Sequence, residues 1–403
     1  MRGVMDELIQ IEHKDRAHCE HGPSGAARWM NCPGSIKMSR GIPSRTSMYA
    51  DEGTAAHELA EVYLRSVLNN KQIDPHQEAR ALVNKYYTPE MGEHVGVYVD
   101  HVKSLIDGAD LVWLERRVSL ARLGPPAPMD GTADCVILND GVLHVIDLKY
   151  GQGVPVEVVD NPQLKMYGAA ALLEMMDLEG SGCIEKVMLT IVQPRAAHPS
   201  GPIRSFVMEP VDLIDFAWEL IDAAKATLQD DAPLKAGKHC RWCLALPQCP
   251  EARKTALIVA QDEFGAIGDT DVRLLTRPQV GALLYQFELV DAWMSSVRGF
   301  AQSELEAGRE IPGMKLVERA PRRKWKDAAA AASWARKRVR VRDAFTPREL
   351  KSVAQLEKVV GRKKLPPDLI ENVSSGLAMV EADDPRPAVL MLGGGAEFST
   401  ECA

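Results

Sequence analysis

Asp134 and Asp147 stand on either side of Asn139-Asp140-Gly141. That tripeptide is a strong tight-turn signal, because a two-residue hairpin loop needs residues that accept positive φ. Strands folded back at this turn would set the two carboxylates side by side. Such a pair of hard oxygen donors suits Mg2+ or Mn2+. Lys149 follows Asp147 by two positions and therefore shares its face of a strand. An ammonium there can position an attacking water or steady the charge on a phosphate, as metal-assisted phosphodiester hydrolysis requires. Alone, Asp147-Leu148-Lys149 reads more simply as alternating surface charge. The apolar Val142, Val145 and Ile146 before it make charges at this strand end less casual.

Gln163 and Tyr167 fall on one face of the helix that should follow. A glutamine can bond a base or backbone group and a tyrosine can reach a phosphate, although such a pair is more often structural. His57 lies in a helical stretch with Glu58 and Glu61. Its neutral imidazole could complete a metal site, although a lone helical histidine usually ligates nothing and the two glutamates read as exposed helix formers.

Eight cysteines occur, and Cys240, Cys243 and Cys249 fall within ten residues. In a cytosolic chain disulfides are not expected. Three thiolates so close call for a metal, with Cys32 the best fourth ligand and Cys19 and His239 weaker ones. Four thiolates suit tetrahedral zinc or an iron–sulfur cluster. The spacing departs from the paired-CxxC zinc pattern. Cys135, Cys183 and Cys402 read as core or tail thiols.

The elements that must position these residues follow from periodicity. Residues 1–23 read as a flexible leader. A short helix is expected over 24–38 and another over 54–68, with Thr54 as its cap. A further helix covers 90–106. Strands are expected at 111–120, 132–138 and 142–149. Asn161-Pro162 opens a helix to about residue 176, with proline in the first turn, where its missing N–H is harmless. Strands at 186–193 and 204–208 and a helix at 211–228 follow. A long helix at 277–306 stops at Pro312-Gly313, and a basic helical region with an alanine run comes after it. Domains are placed at 24–262, closed by the cysteine cluster, and at 263–403, a helical and basic extension.

With 403 residues the chain suggests two or three domains. Its 46% hydrophobic and 26% charged content is that of a soluble globular protein. It has no apolar run long enough for a membrane span and no apolar signal segment, so the cytoplasm is the expected compartment. The net charge of −8 hides an asymmetry: residues 315–364 carry 17 Lys/Arg against 5 Asp/Glu, or +12, leaving −20 elsewhere. That stretch reads either as a solvated helical face or as a surface that tracks phosphates, with Arg322, Arg323, Lys324, Arg336, Lys337 and Arg338 the candidate contacts.

Taken together, these residues resemble the PD-(D/E)XK nucleases, in their RecB-like branch. Gly-Thr-x-x-His is matched by Gly53, Thr54 and His57, and Gly-x-x-Asp by Gly131 and Asp134. Asp/Glu-x-Lys is matched by Asp147 and Lys149, and Gln-x-x-x-Tyr by Gln163 and Tyr167. Iron–sulfur members, such as the AddB nuclease domain and the CRISPR-associated adaptation nucleases, carry one cysteine before these motifs and three after, spaced C-x2-C-x5-C as here. The resemblance implies an α/β fold, a restriction-endonuclease-like mixed sheet flanked by helices. It implies Mg2+ or Mn2+ held by His57, Asp134, Asp147 and the Leu148 carbonyl, with Lys149, Gln163 and Tyr167 completing the catalytic set. It also implies a 4Fe–4S cluster on Cys32, Cys240, Cys243 and Cys249, with zinc the runner-up.

The whole chain is also similar to an uncharacterised family of phage and prophage proteins. The segments that carry this are Ser24-Gly-Ala-Ala-Arg-Trp-Met-Asn-Cys-Pro33, Gln193-Pro-Arg195, Pro312-Gly-Met-Lys-Leu-Val-Glu318 and Asp383-Asp-Pro-Arg-Pro387. This implies a recombination or replication setting in a host cytoplasm, with linear DNA ends, single- or double-stranded, as substrate and a single-strand annealing protein as partner. The expected activity is that of a metal-dependent exonuclease. Its rivals are a DNA-binding or assembly module on a vestigial nuclease fold, and a zinc-stabilised structural protein.

Overall fold

The computed structural model describes residues 19–43, 48–69, 86–176, 178, 184–267, 276–319, 322–345, 350–361, 364–373 and 376–390. Cys183, Cys402 and most of the expected leader lie outside them. Two compact units divide between Trp293 and Met294, whereas the change of composition is read at 262.

The first unit is mixed α/β. A five-stranded sheet runs β1 (Leu111–Ser119), β2 (Asp130–Asn139), β3 (Val142–Leu148), β4 (Lys186–Val192) and β5 (Ile203–Met208), in that spatial order. All neighbours are antiparallel except β3 and β4, which are parallel. The β2–β3 turn is the one its sequence predicts: Asp140 and Gly141 take φ of 48° and 73°, and Asn139 pairs with Val142.

A parallel pair needs a crossover, and here it contains helix α5 (Pro162–Met175). Asn161 caps α5 by accepting from the Leu164 N–H, and Pro162 occupies the first turn. With helix α6 (Pro210–Thr227), α5 covers one sheet face through Leu164, Leu172, Leu213 and Leu220, against Val136, Val145 and Leu189. Gly168 lets α5 lie close, since a Cβ there would stand 2.9 Å from Leu189 Cδ2. The other face is covered by α3 (Met48–Leu68) and α4 (Pro89–Ile106). Ala56, Leu59, Val95 and Tyr98 pack there on Ile137, Ile146 and Leu148.

Two expected helix boundaries move. Thr54 does not cap: α3 begins earlier, at Met48, and the Thr54 hydroxyl donates to the Ala50 carbonyl inside the helix. The stretch 24–38 is not one helix but a short turn and two pieces, α1 (Ala26–Asn31) and α2 (Ser35–Ser39). The break is at Cys32-Pro33, because a residue before proline is pushed out of the helical region; Cys32 has φ −134° and ψ 82°. Helices α7 (Pro250–Ile267) and α8 (Arg277–Glu306) follow the cysteine loop. Among the described residues no helix is long and apolar enough to cross a membrane.

The second unit holds strands as well as helices, so the helical expectation for this region is corrected. Strand β6 (Met314–Glu318) pairs with β9 (Leu377–Glu381), and β7 (Arg322–Trp325) with β8 (Ile370–Val373). These strands are short and charged, which hides their two-residue period. Three helices, α9 (Ala328–Arg336), α10 (Val341–Ala344) and α11 (Val353–Val360), contribute a small core of Ala335, Ala344, Val353 and Leu356.

Candidate functional site

The hairpin brings the predicted acidic residues together. Asp134 Oδ2 accepts the Leu148 backbone N–H at 2.7 Å, tying β2 to the end of β3. Asp147, 5% exposed, is joined to Lys149, whose Nζ donates to Asp147 Oδ1 at 3.1 Å and lies 2.8 Å from Oδ2. Lys149 Nζ thus pairs with both oxygens of this buried carboxylate. Lys149 Nζ also donates to Gln163 Oε1 at 2.9 Å, and Gln163 hydrogen-bonds Tyr167. Helix α5 thus presents both its predicted residues to the strand carrying the triplet.

Helix α3 supplies His57, whose Nδ1 lies 3.3 Å from Asp134 Oδ1 and 4.0 Å from Glu115 Oε1. Burial disfavours its imidazolium, but the charge of Asp134 and its hydrogen bond, with Glu115 and Asp147 behind, lift it to about 9. Burial raises Asp134 less than His57 and the Leu148 N–H lower it, so it stays below the usual carboxylate range. Asp147 goes the other way, since burial and the neighbouring Asp134 outweigh Lys149. Burial, with both aspartates, also pushes the Tyr167 phenol up. The cluster thus sets Glu115, Asp134 and Asp147 against two basic residues, His57 and Lys149.

Two matched glycines differ in what they do. A Cβ on Gly131 would stand 2.6 Å from Pro23 Cδ and 3.1 Å from Tyr167 Cε1, so only glycine lets the Pro23 turn and Tyr167 close over β2. Gly53 has open space around it. Outside these motifs, Gln193-Pro-Arg195 braces the site. Gln193, 1% exposed, accepts from Val156 N–H and donates to Val154 O, both at 2.9 Å, fixing the loop after Lys149. Arg195 pairs with Glu52 of α3 at 2.9 Å and lies 4.4 Å over the Tyr150 ring. Glu52 lies five residues before His57 in α3, so this contact helps fix the histidine's helix.

Glu115 is the residue that sequence reasoning passes over. Among the described residues, His57, Glu115 and Asp134 form the group whose potential ligand atoms all lie within 4.8 Å of one another. Its only trace in the sequence is an acid interrupting the apolar run Leu111-Val-Trp-Leu114.

The four cysteines that the resemblance groups line one small cavity: Cys32, Cys240, Cys243 and Cys249. Gly34 makes this possible, because its backbone docks on the 232–234 segment; a Cβ would stand 2.6 Å from Ala232 O. The Lys235 N–H points at Cys32 Sγ and the Gly237 N–H at Cys240 Sγ, each at 3.3 Å. Burial, with the neighbouring thiols, raises the pKa of Cys32 and Cys240 despite those amides. His239 borders the same cavity, whereas Cys19 donates to Pro128 O and Cys135 is buried in the α3–α4 layer.

In the second unit, Arg323, Lys324, Arg336, Lys337 and Arg338 are exposed. Arg323 is engaged by Glu357, Arg336 lies 5.1 Å over Phe345 and Arg338 4.8 Å over Trp334. Arg322 lies in β7, with its side chain outside the described set.

A family model described as "Protein of unknown function (DUF2800)" matches residues 18–387. A solved structure described as "Crystal structure of SSO0001" is similar at 15% identity and a TM-score of 0.24, covering 57% of this chain and 95% of that one.

Proposed function

We propose that this chain, which belongs to the DUF2800 family, is a divalent-metal-dependent deoxyribonuclease of the PD-(D/E)XK, RecB-like type, acting as an exonuclease on DNA ends. The observation that carries this is convergence. Residues from a helix, two strands and a second helix, scattered from 57 to 163, meet around Asp134 and Asp147 within hydrogen-bonding distances.

The donor set fits a hard cation. Acidic residues crowd His57, and a divalent cation that displaced its proton would find a neutral nitrogen donor beside carboxylate oxygens. His57, Asp134, Asp147 and the Leu148 carbonyl would hold Mg2+ or Mn2+. The ion supplies Lewis acidity toward a water and a phosphate oxygen. Lys149 sits beside Asp147, where its ammonium can orient the attacking water and offset charge that develops on the phosphate. Gln163 holds Lys149 in place, and Tyr167, packed against Gly131 of β2, anchors Gln163. The reading is tested on end-labelled linear and circular DNA with Mg2+ or Mn2+. Asp147→Ala should lose about a hundredfold or more of the activity. Equal degradation by both proteins would sink the assignment, and binding without cleavage would favour a vestigial module.

Four thiols that line one cavity are a donor set a soft metal centre could use. Cys32, Cys240, Cys243 and Cys249 would hold a 4Fe–4S cluster, or zinc in its place, which joins the segment before the sheet to the segment after it. The exposed basic residues of the second unit would track DNA phosphates. The setting we propose is phage recombination or replication in a host cytoplasm, beside a single-strand annealing protein.

A further inference from the structure

Strands β1 and β2 pair in one continuous register, with Leu114 opposite Cys135 and Arg116 opposite Ala133. Glu115 and Asp134 therefore face each other directly, and at this pair alone the ladder is interrupted. Glu115 takes φ 51°, a left-handed conformation that a glutamate rarely adopts. The side-chain alternation changes phase here: Trp113 and Val118 on β1, five apart, both face the α5–α6 layer, as do Val136 and Ala133 on β2. The consequence is that both carboxylates swing to the α3 side, where His57 lies. Two like charges directly opposite on paired strands are destabilising. Both are nearly buried, with 7% of the Glu115 side chain and 12% of the Asp134 side chain exposed.

We infer that Glu115 is a protein ligand of the divalent cation in this centre, placed there by the left-handed kink in β1. This rests on the nuclease reading for the cation's task but not for its binding. Around Mg2+ or Mn2+, with bonds of roughly 2.1 Å, adjacent ligand atoms stand about 3 Å apart and opposite ones about 4 Å. The Nδ1–Oδ1 and Nδ1–Oε1 separations of 3.3 and 4.0 Å fall in that range. Asp147 is not in that group, and both of its carboxylate oxygens are paired with Lys149. A cation seated at His57, Glu115 and Asp134 would relieve the opposition of the carboxylates, which in its absence only the imidazole offsets.

The test uses the full chain stripped of divalent ions, with Mn2+ binding followed by electron paramagnetic resonance of the free ion and by calorimetry. Glu115→Gln keeps the shape and removes the charge. Glu115→Gly removes the ligand and accepts the left-handed φ without strain. Both should bind Mn2+ at least about tenfold more weakly, while the metal-free E115G protein melts no lower than wild type. Unchanged Mn2+ affinity in either folded variant overturns the assignment, as does a wild-type chain that binds no Mn2+. End-labelled DNA in the same preparations separates the two claims. Cleavage by wild type with undiminished Mn2+ binding in E115Q removes Glu115 as ligand and leaves the nuclease. Weakened binding in E115Q with no cleavage by wild type removes the nuclease and leaves the ligand.

Discussion

Burial favours the neutral form of Asp147, and the Lys149 ammonium works against that preference. Removing the ammonium in Lys149→Met leaves burial and Asp134 opposed by His57 alone. Asp147 then has a folded pKa raised further above its unfolded value of about 3.9. A raised carboxylate contributes stability that is complete below the unfolded pKa and is lost as pH rises through the folded one. In EDTA, K149M should therefore melt near wild type at acid pH and fall behind as pH rises, by about 3 kcal/mol at pH 8. A deficit that stays constant or shrinks with pH would exclude this account. At this scale the carboxylate pair and Lys149 follow from turn and strand spacing, whereas His57, Gln163 and Tyr167 enter only through the resemblance; the fold brings all six together. Glu115 was not legible, because its meaning depends on a cross-strand partner and on a backbone angle, and neither leaves a mark in a run of residue types.

Among the elements, the docking of the Pro33-Gly34 turn on the 232–234 segment decides whether Cys32 reaches the other three thiols. Gly34→Ala pushes a methyl group against a backbone oxygen, which can retreat only if the turn lifts. The expected result is a protein that keeps its far-UV circular dichroism but is isolated anaerobically with less bound metal and less of the brown colour of an iron–sulfur protein. Metal content equal to wild type would show that the turn does not position Cys32. A colourless wild type with stoichiometric zinc would replace iron by zinc. The sequence specifies the β2–β3 hairpin and α5 well, since Asp140-Gly141 and Asn161-Pro162 act locally. The start of α3 is legible only in part, because Thr54 is a good cap by type yet finds a carbonyl inside a helix that began earlier. The break at Cys32-Pro33 is local and readable, but what the turn docks against is some two hundred residues away.

For the whole molecule, the division of charge seen in the sequence becomes a division of labour to be tested. Arg336, Lys337 and Arg338 are exposed on the second unit and ordered in part by aromatic rings. If they meet phosphates, the triple alanine variant should weaken DNA binding alike for all sequences. The slope of log K against log salt should also flatten by about 0.9 for each phosphate no longer neutralised. An unchanged slope would make them a solvated face. The strands of this unit were not legible, because charged side chains occupy both faces of β7 and β6 is only five residues long. The two layers of the first unit were, since strand alternation and helix periodicity agree there.

The order in which the chain is made gives the cysteine cavity a further meaning. Synthesis delivers Cys32 first, then all five strands of the sheet, and Cys240, Cys243 and Cys249 last. The last three are neighbours in sequence, but no local contact can bring Cys32 to them. The four share a cavity only after the sheet has closed and carried the two ends of its own sequence together. Four-thiolate ligation would then report that everything between Cys32 and Cys240 has folded, because the last three cysteines alone leave one ligand position unfilled.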